Sequence, residues 1–297
     1  IFSQKYPHKF LTGVQNEEST GEYLNNTQRC EECYDLNNGQ DCKWVFNSRN
    51  VKKTYDMTVF GSKEGVAFCC DNHEIGDGVQ NVLFSDQVWT GCYDIMYSKL
   101  CVNNSRNCFG CMGLKHAEYC IFNKQYTKDE YLVLRDKIIE HMKQTGEWGE
   151  FFPITMSPVA YNETNAQDYF PVTKEEALKQ GWKWREEDKK DYQPASIPFP
   201  ETIAKTGDDV VVEIFACTSC KKNYQIQRPE LKFYKTIGLP IPHRCFDCRH
   251  KDRMNLRNPR ELFDRMCAKC STALKTTFAP DRPEQVTCEK CFGETVN

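Results

Sequence analysis

The sequence predicts a mainly β chain: an N-terminal β-solenoid-like repeat region closed by a helix, followed by two small C-terminal ribbons stapled by cysteine. Three observations predict it. A Tyr-Asp-apolar triplet recurs within residues 27–125, one amphipathic helix follows, and residues 217–297 hold four C-x-x-C pairs.

The triplet is Tyr34-Asp35-Leu36, then Tyr55-Asp56-Met57, then Tyr93-Asp94-Ile95. Its steps of 21 and 38 residues read as one and two turns of about 20 residues. His73-Glu74-Ile75 takes the missing place, and a degenerate copy lies near Gly113-Leu114. Short apolar runs such as Val66–Cys70 and Cys120–Phe122 follow the triplets. One such turn cannot bury its apolar side alone; turns stacked about 4.8 Å apart complete both backbone pairing and core. Residues 1–126 are therefore expected to form about five turns. Ten cysteines fall here, and small thiols suit a narrow core. Cys92 with Cys111, or Cys101 with Cys120, are expected on adjacent turns. Cys30/Cys33 and Cys108/Cys111 sit too many turns apart to share an ion. Free thiols, disulfides and metal ligands all remain open for these residues.

Residues 127–146 read as a helix. Thr127 and Glu130 make a capping box, Tyr131, Leu134, Ile138 and Met142 form an apolar stripe, and Gly146 ends it. Placed over the open end of the solenoid, it would cover strand edges that otherwise invite aggregation. Residues 147–207 read as a loop-rich segment and linker. They hold a second capping box, Thr173 to Glu176, a short helix ending before Gly181, and Pro194, Pro198 and Pro200. Val210–Phe215 reads as a strand leading into the first ribbon.

The ribbons occupy 208–255 and 256–297. In the first, Cys217 and Cys220 are followed by Cys245 and Cys248; in the second, Cys267 and Cys270 by Cys288 and Cys291. Each C-x-x-C turn presents two thiolates to one ion, and two turns complete a tetrahedral Zn²⁺ site. A closed site of four cysteines has no position for water, so both zinc ions are read as structural. A redox dithiol would need a single C-x-x-C beside a βαβ unit, not four in tandem. Cross-pairing between the ribbons, and His243 as a competing ligand, are the alternatives.

Charge divides the chain. Residues 217–297 carry 16 Lys and Arg against 9 Asp and Glu, whereas residues 1–216 carry 23 against 33. A basic end on an acidic body suggests a binding surface. Arg244, Arg249, Lys251, Arg253, Arg257, Arg260 and Arg265 are the candidate phosphate contacts, with Phe246 and Phe263 as stacking platforms for bases. Asp247, Asp252, Glu261 and Asp264 are interleaved with them, so internal ion pairs account for the same residues equally well. The apolar residues of Glu230-Leu231-x-Phe233-Tyr234 read as ribbon packing.

Other function classes lack their signals. No Gly-rich phosphate loop, G-x-S-x-G or H-E-x-x-H occurs. Cys69, Cys70, Asp71 and His73 are close in sequence, but neighbours along a strand point apart. No enzyme and no small-molecule substrate is expected. No run of eighteen apolar residues occurs, so no membrane span is expected. No secretory leader is visible, and the chain opens on Ile1, as a fragment or processed form does. A reducing cytoplasm is the expected location.

The run Cys217-x-x-Cys220, Glu230-Leu231-Lys232-Phe233-Tyr234, Leu239-Pro240-Ile241-Pro242, Cys245-x-x-Cys248-Arg249 and Arg257-Asn258-Pro259 resembles uncharacterised zinc-ribbon proteins abundant in candidate-phyla bacteria. Ala279–Glu284 with Cys288-Glu289-Lys290-Cys291, and Asn107–Cys111 with Tyr119–Thr127, are similar to the same family. The resemblance covers most of 27–145 and 208–297 and implies zinc and no established activity. Members often begin with a further zinc ribbon that this chain lacks. The expectation is a zinc-stabilised, non-enzymatic protein contacting RNA, the ribosome or another nucleic-acid machine. A protein–protein scaffold or self-assembling homo-oligomer, and a thiol redox or metal-storage protein, are the competing expectations.

Overall fold

A computed structural model describes residues 5–188 and 190–296 of the chain. They divide into two compact units. One comprises the residues up to Ser157 together with those from Pro259 onward; the other spans Pro158–Asn258.

The first unit is built on a parallel β-coil of about eight turns. After β1 (His8–Lys9), its strands are β2 (Gly13–Glu17), β3 (Gly21–Glu31), β4 (Cys33–Lys52), β5 (Tyr55–Phe60), β6 (Val66–Ala67), β7 (Cys70–Gly76), β8 (Val79–Trp89), β9 (Tyr93–Met96), β10 (Arg106–Phe109) and β11 (Glu118–Ile121). The local unit is three residues long. From Leu24 to Met57 every third residue is buried: Leu24, Thr27, Cys30, Cys33, Leu36, Gly39 and onward. The residue before each has a left-handed backbone, as at Tyr23, Asn26, Arg29, Glu32, Asp35 and Asn38. That residue turns the chain at a corner, and the extended residues around it make a side. Asn and Asp tolerate this backbone best among residues with a Cβ, which accounts for Asn26, Asp35, Asn38, Asp41, Asn47, Asn50 and Asp56 at corners.

Four sides close a turn. Gly21 faces Cys33, Leu24 faces Leu36 and Cys30 faces Cys42, a spacing of 12 residues. Later turns take 13, as Val82 faces Ile95, and the last strand pair returns to 12, as Cys108 faces Cys120. The additional residue goes into a corner, where two successive residues are left-handed: Asp77-Gly78, Thr90-Gly91 and Asn103-Asn104. One turn takes 15, with Tyr55 facing Cys70, because Gly61 to Gly65 loop outward between β5 and β6. The expected turn of about 20 residues is thus corrected to 12–13, and five turns to about eight. The Tyr-Asp-apolar triplets are real, but each is one corner and its inward neighbour, not one turn. Their spacing counts sides, and sequence does not say how many sides close a turn.

The same register corrects the thiol neighbours. Cys30 stacks on Cys42, and Cys108 on Cys120. Tyr93 faces Arg106, which sets Cys92 over Ser105, and Val102 pairs with Lys115, which sets Cys101 over Leu114. Leu11, the inward thiols and a column of Val and Ile form one continuous core.

The helix α1 (Lys128–Thr145) has both halves of its Thr127–Glu130 capping box and a left-handed Gly146 at its end. It packs on β11, the last parallel strand of the coil. It lies along the outward flank, where Tyr131, Leu134, Ile138 and Met142 pack with Met96, Phe109 and Ile121. The last turn is also finished by β12 (Lys124–Gln125), antiparallel to β11, and by Asn123. That side chain donates to Met112 O at 2.9 Å and accepts from Met112 N at 2.8 Å, as a next strand would.

The second unit holds α2 (Ala166–Tyr169), α3 (Lys174–Lys179), β13 (Phe215–Ala216), β14 (Asn223–Tyr224), α4 (Arg228–Ile237) and α5 (Phe246–Asn255). The Thr173–Glu176 capping box opens α3. Its core is Val210, Phe215, Ile226, Leu231 and Ile241, against which Ile197, Phe199 and Ile203 pack. The proline-rich stretch therefore builds this core and is not a free tether. The strand expected over Val210–Phe215 is a 3-10 turn, Asp208–Val212, before a two-residue β13.

The chain then returns to the first unit. There β15 (Phe263–Met266) and β16 (Ala273–Thr276) form a hairpin, followed by β17 (Val286–Thr287) and α6 (Glu289–Val296). β17 pairs in parallel with β1 in a two-stranded sheet separate from the coil's ladder, whose first edge strand is β2. Thr276 Oγ1 donates to Phe10 O at 2.7 Å, and Phe10 packs against both the coil core and the core of this C-terminal cap.

Two candidate metal centres

Each pair of C-x-x-C turns converges. Cys217, Cys220, Cys245 and Cys248 form one group and Cys267, Cys270, Cys288 and Cys291 another, with the Sγ atoms of each group within 4.8 Å of one another. The pairing is within each ribbon, and His243 is not in either group; its ring stacks on Phe199 at 4.3 Å.

Local structure explains the convergence. The first pair of each group sits on a tight knuckle. Lys221 N donates to Cys217 O at 3.0 Å and Ser271 N to Cys267 O at 2.9 Å, each with a left-handed backbone at the donor. The second pair departs from a hairpin and opens a helix instead. Cys245 is the N-cap of α5, and Cys288 directly precedes α6. A helix start offers unpaired N–H groups and positive potential, both of which favour thiolate.

The spacing tests whether a metal fits. A tetrahedral ion about 2.3 Å from each sulfur sets neighbouring sulfurs about 3.8 Å apart. Cys217 and Cys248 lie 3.8 Å apart, Cys220 and Cys245 3.6 Å, and Cys270 and Cys288 3.8 Å. The thiols of each group differ: burial is the largest cause that pushes Cys245 and Cys291 up to about 12, while a knuckle thiol is held low. Burial pushes the Cys217 thiol up, but N–H groups of Cys220, Cys245 and Ser219 outweigh it and bring it down to about 6. Burial likewise acts on Cys267, and N–H groups of Cys288, Cys270 and Lys269 bring it down to about 6. The four-cysteine groups are suited to hold a metal ion.

The coil thiols form no such group among the described residues. Nine of the ten are buried, and Cys70 alone is half-buried. The inward thiols bond to backbone carbonyls: Cys42 Sγ donates to Gln40 O at 3.2 Å and Cys69 Sγ to Ala67 O at 3.2 Å. Ser48, Thr54 and Ser98 do the same at 2.8, 3.0 and 2.9 Å. A short side chain with one donor satisfies the carbonyl two residues back, which the corner turns inward.

The basic residues are not one surface. Arg260 donates to Asp35 at 2.7 Å and to Asn47 at 2.6 Å, with its side chain 7% exposed, and so clamps the cap to the coil. Arg265 donates to the carbonyls of Ala279 and Glu284 inside the cap. In the second unit, Arg249 binds Glu230 and Tyr234 at 3.0 Å each, and Arg244 pairs with Asp252. Lys251 and Arg253 are exposed on α5. The Arg253 guanidinium lies over the Phe246 ring at 6.0 Å, and Arg257 over Tyr169 at 5.9 Å. Sequence reasoning missed Tyr169 and the Arg260 partners, for which no local signal exists. No helix is long and apolar enough to cross a membrane among the described residues.

No known protein family matches the chain, and no curated protein compared with it does.

Proposed function

We propose that this is a zinc-stapled, non-enzymatic protein that binds single-stranded nucleic acid through the second unit. The observation that carries the reading is the alternation of cation and aromatic ring beside the first metal centre. Phe246 is 63% exposed at the start of α5, with Arg253 over its ring and His250 stacked on it at 5.9 Å. Arg257 over Tyr169 repeats the arrangement. Aromatic faces take unpaired bases of any sequence, and cations beside them take the phosphates. Zinc supports the unit by fixing Cys245 and Cys248 at the helix start, and a closed four-thiolate ion offers water no position for activation. Nine buried free thiols and two thiolate centres favour a compartment that keeps cysteine reduced.

Fluorescence anisotropy with labelled single-stranded RNA in a salt series tests the reading. Affinity should fall with salt, and K251A/R253A should flatten the slope by about 0.7 per lost phosphate contact. No binding at low salt sinks it. A second reading, a protein-binding scaffold, is favoured by Phe233, Ile237 and Leu239, exposed on and after α4. Under that reading a protein partner survives nuclease treatment in pull-down.

A further inference from the structure

We propose that the second metal centre gates a self-association edge: without its ion the C-terminal cap leaves β1, and the β1 edge pairs with a second copy of this chain. The inference rests on the reading that zinc occupies the four-cysteine group Cys267, Cys270, Cys288 and Cys291.

The cap has almost no core of its own. Its buried apolar set is Cys267, Leu274, Phe278, Val286 and Cys291, so two of five members are metal ligands. A unit this small depends on its metal to fold. Yet, among the described residues, the cap supplies the strand partner of β1. His8 N donates to Gln285 O at 2.8 Å and Phe10 N to Thr287 O at 3.0 Å. Thr287 Oγ1 donates to His8 O at 3.2 Å, and Lys9 pairs with Glu289 at 2.6 Å. Phe10 packs against both the cap core and the coil core, to which Leu11 belongs.

Losing the ion therefore uncovers backbone donors, acceptors and apolar surface together. The freed edge is that of β1, which already accepts a parallel strand, since β17 pairs with it in register. The opposite end of the coil carries its own stop in β12 and Asn123. Among the described residues the β1 edge is thus the one the cap's departure frees, and a second copy presents the same edge or its own released β17. Exposed edges of this kind template pairing with another chain.

The experiment uses the full chain with zinc counted by elemental analysis and mass followed by sedimentation velocity over a concentration series. C288S/C291S should lose one zinc, keep the coil's far-UV circular dichroism, and at least double its mass where the parent does not change. C245S/C248S, which removes the other centre, should keep the parent's behaviour. Chelation of the parent should reproduce the association, and added zinc should reverse it. C288S/C291S sedimenting as the parent does overturns the proposal, as does equal association of both variants. Loss of the coil signal in both the variant and the chelated parent also overturns it, since the edge must survive to pair. A parent without bound zinc overturns the metal reading itself, and is seen before any association is measured.

Discussion

Arg260 Nη2 meets the Asp35 carboxylate at 2.7 Å across 225 positions of sequence. The same guanidinium lies over the Phe46 ring at 5.4 Å and donates to Asn47. Removing it takes a buried donor away from a half-buried carboxylate and from an amide. Arg260→Ala should cost about 2–4 kcal/mol in urea unfolding. Arg260→Lys should not restore it, because one ammonium cannot keep the forked contacts and the ring stacking together. An R260A variant as stable as the parent would show the clamp to be incidental.

Asn38 tests the corners. Its backbone is left-handed, and its side chain stands in a ladder, accepting from Asn26 and donating to Asn50 at 2.8 Å each. Gly keeps the backbone and loses the ladder, whereas Val loses both. Asn38→Val should be less stable than Asn38→Gly by roughly 1–2 kcal/mol, the cost of a left-handed residue with a Cβ. Equal unfolding midpoints would mean that the corner relaxes.

The thiol core predicts reactivity. Burial pushes Cys69 and Cys101 up to about 12 and Cys92 to about 11. Alkylation of the folded, zinc-loaded protein at pH 8 should label Cys70 first and leave the other nine coil cysteines unmodified until unfolding, as read by peptide mass spectrometry. In the same core, Cys42→Ser keeps the donor to Gln40 O and should cost ~1 kcal/mol or less. Cys42→Leu overfills the column between Cys30 and Thr54 and should cost about 1–3 kcal/mol.

Glu22 predicts a pH dependence. It is 3% exposed and accepts from Thr12 N at 3.3 Å and from Thr277 Oγ1 at 3.2 Å. Burial, despite these bonds, holds its carboxyl above the ordinary value of 4.5. A raised folded value contributes stability that is fully present below the unfolded value and is lost as pH rises through the folded one. Glu22→Gln should therefore gain on the parent as pH rises from 4 to 7, measured as the difference in melting temperature. A constant difference would place Glu22 in a solvated setting.

The metal ligands were legible because each pair is local: two cysteines three apart on one turn need no distant partner to be read. The solenoid-like class was legible from recurrence, but its turn length was not. Tyr34-Asp35-Leu36 and Tyr55-Asp56-Met57 both mark a corner and its inward neighbour, yet Leu36 and Met57 belong to different columns of the core. Corners filled by Arg29, Trp44 and Lys53 dilute the Asn and Asp signal. Arginine roles were illegible for a different reason: Arg260 and Arg253 look alike in sequence, and only a partner from the other end of the chain separates them.

The three-residue side has a further consequence for how such a chain changes length. Losing or gaining three residues moves every later inward residue to the next column but keeps it inward, and twelve restores the column as well. The coil thus has a reading frame. Slips that respect it alter which thiol or valine meets which neighbour, and slips that break it turn the core outward unless a corner absorbs the odd residue, as Asp77-Gly78 does. Growth by whole turns is the one edit that leaves both the cap and the flank helix with the surfaces they already fit.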